Sequence, residues 1–230
     1  MSSSVIDNLI ENVSKDTLVD FCREKSGDFK KSDRSQLTKQ TETLFPELYQ
    51  QKFASLDIVG YFPNIELMVI LIKLKEHLTL SERSCRRMQY DYAKFLLNKA
   101  SDNSHIGIFT NWLGDDAPLD IDKGLFVFYD DDGNFRFSLV EGIDSKGEVQ
   151  KRYRRYTFFV DKTQTNRTFK ERMAKPWSSF EELKDAFSVE TLNKEFYNRL
   201  FAWYEWACRD PRVEYPNDTA GDNDKPHDIN

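Results

Sequence analysis

Six consecutive apolar residues, Leu67–Ile72 (LMVILI), constrain the fold of this chain more than any other stretch. In an extended strand successive side chains point to opposite faces, so a run with no polar position needs cover above and below. Six residues also fall far short of the roughly 20 that a membrane-spanning helix requires. The run, within a strand at Glu66–Leu74, therefore reads as a central, covered strand.

Its neighbours extend the sheet. Leu56–Phe62 (LDIVGYF) is β-rich and joins the central run through Pro63-Asn64, a tight-turn pair. Gly124–Tyr129 and Asn134–Val140 flank Asp130-Asp131-Asp132-Gly133, a hairpin signal, and Arg154–Asp161 follows as a fifth strand. Phe135, Phe137 and Leu139 alternate with Arg136 and Ser138, which predicts Arg136 on an outward face.

Helical spacing dominates elsewhere. Val5, Ile6, Leu9, Ile10 and Val13 share a face, as do Leu18, Phe21 and Cys22 after Ser14. Thr79 and Glu82 form a capping box that opens a helix to about Lys99. A short helix begins at Ser178–Glu181, and Ser188 caps a longer one with Val189, Leu192, Phe196, Leu200, Trp203 and Ala207 on one stripe. The architecture expected is α/β: a mixed central sheet of about five strands, flanking helices, a helical C-terminal third, and a degenerate restriction-nuclease-like core as one form of it. The expected organisation is N-terminal helices at 1–25, a polar linker with a short helix at 26–50, the α/β domain at 51–210, and an acidic linker at 211–230 read as disordered and leading to a further domain.

Composition narrows the function classes. With 33 Lys+Arg against 39 Asp+Glu in 230 residues, the formal charge of −6 excludes a uniformly basic coat but permits local basic patches. Three separated cysteines, Cys22, Cys85 and Cys208, fit neither a disulfide framework nor a zinc knuckle. The N-terminus has neither the basic nor the apolar region of a secretory signal, so the protein reads as cytoplasmic, with no membrane partner. His77, His105 and His227 lie in different segments, so no metal-ligand set is assigned; the acidic run at 130–133 reads as a solvated hairpin tip. Glycine-rich phosphate loops and nucleophile elbows are missing from the sequence.

Three constellations remain. Asp57, Glu66 and Lys73 occupy the elements in which PD-(D/E)xK nucleases carry their metal-binding acids and lysine, although Leu71 stands two residues before Lys73 where that pattern needs an acid. Gln150–Lys175 holds nine Lys/Arg against Asp161 and Glu171, a local +7; Lys151, Arg152, Arg154, Arg155, Arg167, Lys170 and Arg172, joined by Arg136, are its candidate DNA-binding residues. The last helix is crowded with aromatics; most suit a core, and Phe201, Trp203, Tyr204 and Trp206 are the candidate partner surface.

Across residues 78–216 the segments LSERSCRRMQYDYAK, GLFVFYDDDGNFRFSLV, KRYRRYTFFVDKTQTNRTFKERM and AFSVETLNKEFYNRLFAWYEWA, in this order, resemble the region before the catalytic domain of type IIG restriction–modification enzymes, large adenine-specific DNA methyltransferases. The resemblance implies double-stranded DNA and a downstream methyltransferase domain of the same chain as partners. It also implies S-adenosylmethionine, and Mg²⁺ for any nuclease step, as cofactors of the parent protein. Neither the Gly-rich S-adenosylmethionine loop nor the Asn-Pro-Pro-Tyr/Phe motif occurs here, so no cofactor is expected on these residues and no catalytic residue is carried over. The expected function is that of an N-terminal DNA-engaging, nuclease-like domain that is itself non-catalytic. A protein-interaction scaffold without DNA contact is the alternative.

Overall fold

The computed structural model describes residues 4–32, 52–75, 77–78, 87, 89–91, 93–94, 97, 122–143 and 152–209, with the side chains of 189–195 left aside. The capping box at Thr79–Glu82, Lys151 and the acidic stretch at 211–230 lie outside them. The chain divides into two compact units, Met1–Ser188 and Val189–Asn230.

The first unit is an α/β assembly around a six-stranded mixed open sheet. Two short helices, α1 (Val5–Glu11) and α2 (Lys15–Lys25), lead into β1 (Lys30–Lys31). Ser4 caps α1 by accepting from the Asp7 N–H, and Ser14 and Thr17 cap α2 reciprocally. β2 (Phe53–Phe62) turns through a 3₁₀ segment, Pro63–Ile65, into β3 (Leu67–Leu74). β4 (Lys123–Tyr129), β5 (Phe135–Ile143) and β6 (Arg152–Val160) follow, then α3 (Arg167–Arg172) and α4 (Phe180–Phe187).

Strand order equals sequence order, β1 to β6. Every neighbouring pair is antiparallel except β3 and β4, which run parallel from Leu67 opposite Lys123 to Lys73 opposite Tyr129. A parallel pair needs a crossover. Residues 87, 89–91, 93, 94 and 97 of that connection are helical, and they lay Ala93 and Leu97 on the sheet.

The apolar run at 67–72 is buried along its whole length, between two cores. Leu67, Val69 and Leu71 face a core shared with α1, α2, α3 and α4, whereas Met68, Ile70 and Ile72 face a second core with Leu78, Ala93 and Leu97. The N-terminal helices are integral to the first: Leu9, Leu18 and Phe21 are fully buried in it. Lys30–Lys31, inside the stretch expected to be a polar linker, forms the sixth strand against Tyr61 and Gly60. No sequence period marks a two-residue strand; its partner defines it.

The same double cover corrects Arg136. The alternation along β5 is as the sequence indicates, but β5 lies between β4 and β6, and its second face is also packed. Arg136 is 2% exposed, with its guanidinium over the Phe159 ring at 5.1 Å. It is a core residue, and so is Ser138, whose hydroxyl lies 2.7 Å from that of Thr157.

The second unit carries α5 (Val189–Arg209). Within this unit Phe196, Tyr197, Phe201, Trp203, Tyr204 and Trp206 are 52–64% exposed. No helix among the described residues is long and apolar enough to cross a membrane.

Candidate functional site

Among the described residues, those with chemistry collect in three places, and the nuclease-like trio is not one of them. Glu66 occupies the left-handed turn between β2 and β3, with φ 51°, and its carboxylate lies 3.4 Å from Lys123 Nζ. Lys73 stands seven residues further on, near the other end of β3, so their backbones lie about 23 Å apart at a strand rise of about 3.3 Å per residue. Asp57 pairs with Leu71 in the β2–β3 register and is half-buried. Burial pushes its carboxyl above the usual range, offset in part by the charge of Lys15. A Mg²⁺ ion cannot be shared by residues so placed, and no step is assigned to one there.

Lys73 instead reaches the hairpin between β4 and β5. Its ammonium lies 2.8 Å from Asp131 Oδ1, which holds the Asp131 carboxyl below its ordinary range and raises the lysine. Beside this pair, His77 Nδ1 lies 2.8 Å from Asp132 Oδ2. Asp130 is buried and braced on both oxygens: Oδ2 accepts from the Leu78 N–H at 2.7 Å and Oδ1 from the Asn134 N–H at 2.9 Å. One ligand atom from each of His77, Asp130 and Asp132 lies within 4.8 Å of the others. Gly133, with φ 81°, closes the hairpin.

Sequence reasoning missed this gathering because His77 and Asp130 are far apart along the chain. The parallel register of β3 and β4 brings their carboxyl ends side by side, which is where open α/β sheets tend to place ligands. The available signal was the coincidence of Lys73–His77 and Asp130–Asp132, each just after an apolar strand. The run read as a solvated tip thus has one fully embedded member, Asp130.

The second place is β6 with the turn and helix after it. β6 ends the strand order, and its burial alternates poorly. Arg152 and Arg154 pair with Ile143 and Glu141 on the face of the first core, while Arg155, opposite Val140, lies on the other face with its guanidinium 5.4 Å from the Tyr90 ring centre. Tyr90 donates its hydroxyl to the Tyr153 carbonyl. The basic residues adjacent in sequence are therefore divided between the two faces of an edge strand. On α3, Arg167 is 2.6 Å from Glu171, which raises the arginine further, and Lys170 is 2.7 Å from Asp7, which lowers that acid. Arg172 is half-buried at the end of α3.

A cleft of about 720 Å³ lies beside this turn, lined by Leu78, Asn134, Phe158, Phe159, Asp161 and residues 164–169. Asp161 and Asn166 shape the turn: the Asp161 carboxylate accepts from Thr163 at 2.7 and 2.9 Å, and Asn166 Nδ2 donates to the Asp161 carbonyl at 2.7 Å. The third place is the exposed aromatic face of α5.

These features define an α/β protein with a six-stranded mixed sheet, a carboxylate–histidine–lysine cluster at its parallel strand ends and an arginine-bearing edge. No protein-family model, no curated protein and no solved structure matches the chain.

Proposed function

We propose that the chain engages double-stranded DNA through the arginine-bearing edge of its sheet, as the DNA-contacting region of a restriction–modification DNA methyltransferase whose methylase domain lies downstream. The observation that carries this reading is the division of Arg152, Arg154 and Arg155 over both faces of the terminal strand. Guanidinium groups on two sides of a narrow rim suit phosphates along a backbone, because each offers a planar pair of donors. Phosphate contact of this kind positions a protein without reading bases. The order of the sequence segments that resemble type IIG enzymes supports the same reading. A restriction-nuclease-like origin of the mixed sheet is compatible with it, but cleavage is not part of it, since Glu66 lies in the turn before β3 and Lys73 near the far end of that strand.

A second reading, a protein-interaction domain without DNA contact, is favoured by the exposed aromatic face of α5 and by the pairing of Arg167 and Lys170 with the chain's own acids. Fluorescence anisotropy with a duplex oligonucleotide, titrated across salt, separates the two. DNA engagement gives affinity that falls steeply with salt, and Arg154→Ala with Arg155→Ala weakens binding to all sequences alike. The pair of substitutions also flattens the log–log salt slope by roughly 0.9 for each phosphate that is no longer neutralised. A domain that ignores duplex DNA at low ionic strength belongs to the second reading.

A further inference from the structure

We propose that His77, Asp130 and Asp132 form a binding site for a divalent transition-metal cation, Zn²⁺ or Mn²⁺, at the carboxyl ends of the parallel strands β3 and β4. Three observations converge on it. The ligand atoms already lie within 4.8 Å of one another. An ion bonded at about 2.0–2.2 Å needs its ligands roughly 3–4 Å apart, so shifts on the order of 1 Å close the set. The fixed member, Asp130, is held by the backbone N–H groups of Leu78 and Asn134, one on each oxygen. A carboxylate has about four lone-pair directions, so both oxygens keep acceptor capacity, and ligating carboxylates are commonly held by outer hydrogen-bond donors in this way.

Charge points the same way. Asp131, the remaining acid of the hairpin, is engaged by Lys73 at 2.8 Å and stands outside the ligand set. The donors left are one imidazole nitrogen and two carboxylates, a set that suits a dication. The nitrogen selects a first-row transition ion over Mg²⁺ or Ca²⁺, which prefer all-oxygen sets. Three protein ligands leave coordination positions for water or a substrate oxygen. Leu78 and Asn134, the two residues that brace Asp130, also line the cleft of about 720 Å³. The competing arrangement is a plain His77–Asp132 contact that holds no metal.

Mn²⁺ binding to the full chain, followed by electron paramagnetic resonance, and Zn²⁺ binding, followed by calorimetry, decide between them. The expected result is one site per chain, weakened at least tenfold in His77→Ala and again in Asp132→Asn. Both side chains are exposed, so neither variant threatens the fold. Asp131→Asn should leave the affinity within about twofold, because Lys73 holds that acid out of the set. Absence of saturable binding by either ion overturns the proposal, and so does binding that His77→Ala and Asp132→Asn leave unchanged. DNA binding is not needed for the readout, so this site and the arginine edge stand or fall separately.

Discussion

β3 and β6 belong to one sheet and are nearly equal in length, eight and nine residues, yet they do opposite things. β3 is buried along Leu67–Ile72 and neighbours a strand on each side. β6 ends the strand order and carries arginines on both faces. The centre of the sheet holds stability, and the edge is where charge can meet a ligand. Position in the sheet accounts for the contrast: a central strand exchanges water for protein around its backbone and side chains, whereas an edge strand keeps long charged side chains in solvent.

Four substitutions can break that contrast. Leu71→Ala should cost the most, about 2–5 kcal/mol in chemical denaturation, because it leaves a cavity in the first core. Gly60→Ala comes next, at about 1–3 kcal/mol, since a Cβ there would collide with the Lys30 carbonyl and push β1 off β2. Arg154→Ala should change stability by no more than about 0.5 kcal/mol while weakening duplex binding. A stability loss at Arg154 comparable to that at Leu71 would erase the distinction between centre and edge.

The smallest effect tests the boundary of the centre. Asp57 sits on β2 opposite Leu71, and burial raises its carboxyl above the unfolded value. A raised acid contributes stability below its unfolded pKa, and that contribution is lost as pH rises through the folded pKa. At neutral pH the charge is therefore a burden, and Asp57→Asn should raise the melting temperature slightly, by an amount worth at most about 0.5 kcal/mol. That gain should shrink towards zero as the pH falls below the carboxylate range, where wild-type Asp57 is already protonated. An Asn variant less stable than wild type at neutral pH would instead give Asp57 a stabilising partner role.

Much of the architecture is legible in the sequence because it is local. The apolar run at 67–72, the Pro63-Asn64 turn, the Asp-Gly hairpin and the alternation along 135–139 each carry their own physical signature, and those strands form where the patterns place them. The aromatic stripe on the last helix is legible too. Periodicity indicates which residues share a face and is silent about what covers it. Arg136 shows the same limit from the other side: alternation assigned its face, and only the second core made that face an interior one.

The functional groupings depended on pairing. Sequence alone established a strand with both faces apolar, a basic segment after it and the absence of known phosphate or methylase motifs. The fold in three dimensions set β3 and β4 parallel and in register, which puts Lys73 beside Asp131, with His77 next to Asp132. The reason lies in the reach of the interactions. Turns, caps and face patterns are set by residues a few positions apart. A hydrogen bond between Leu78 and Asp130 forms only when two distant strands are held side by side by the cores above and below them.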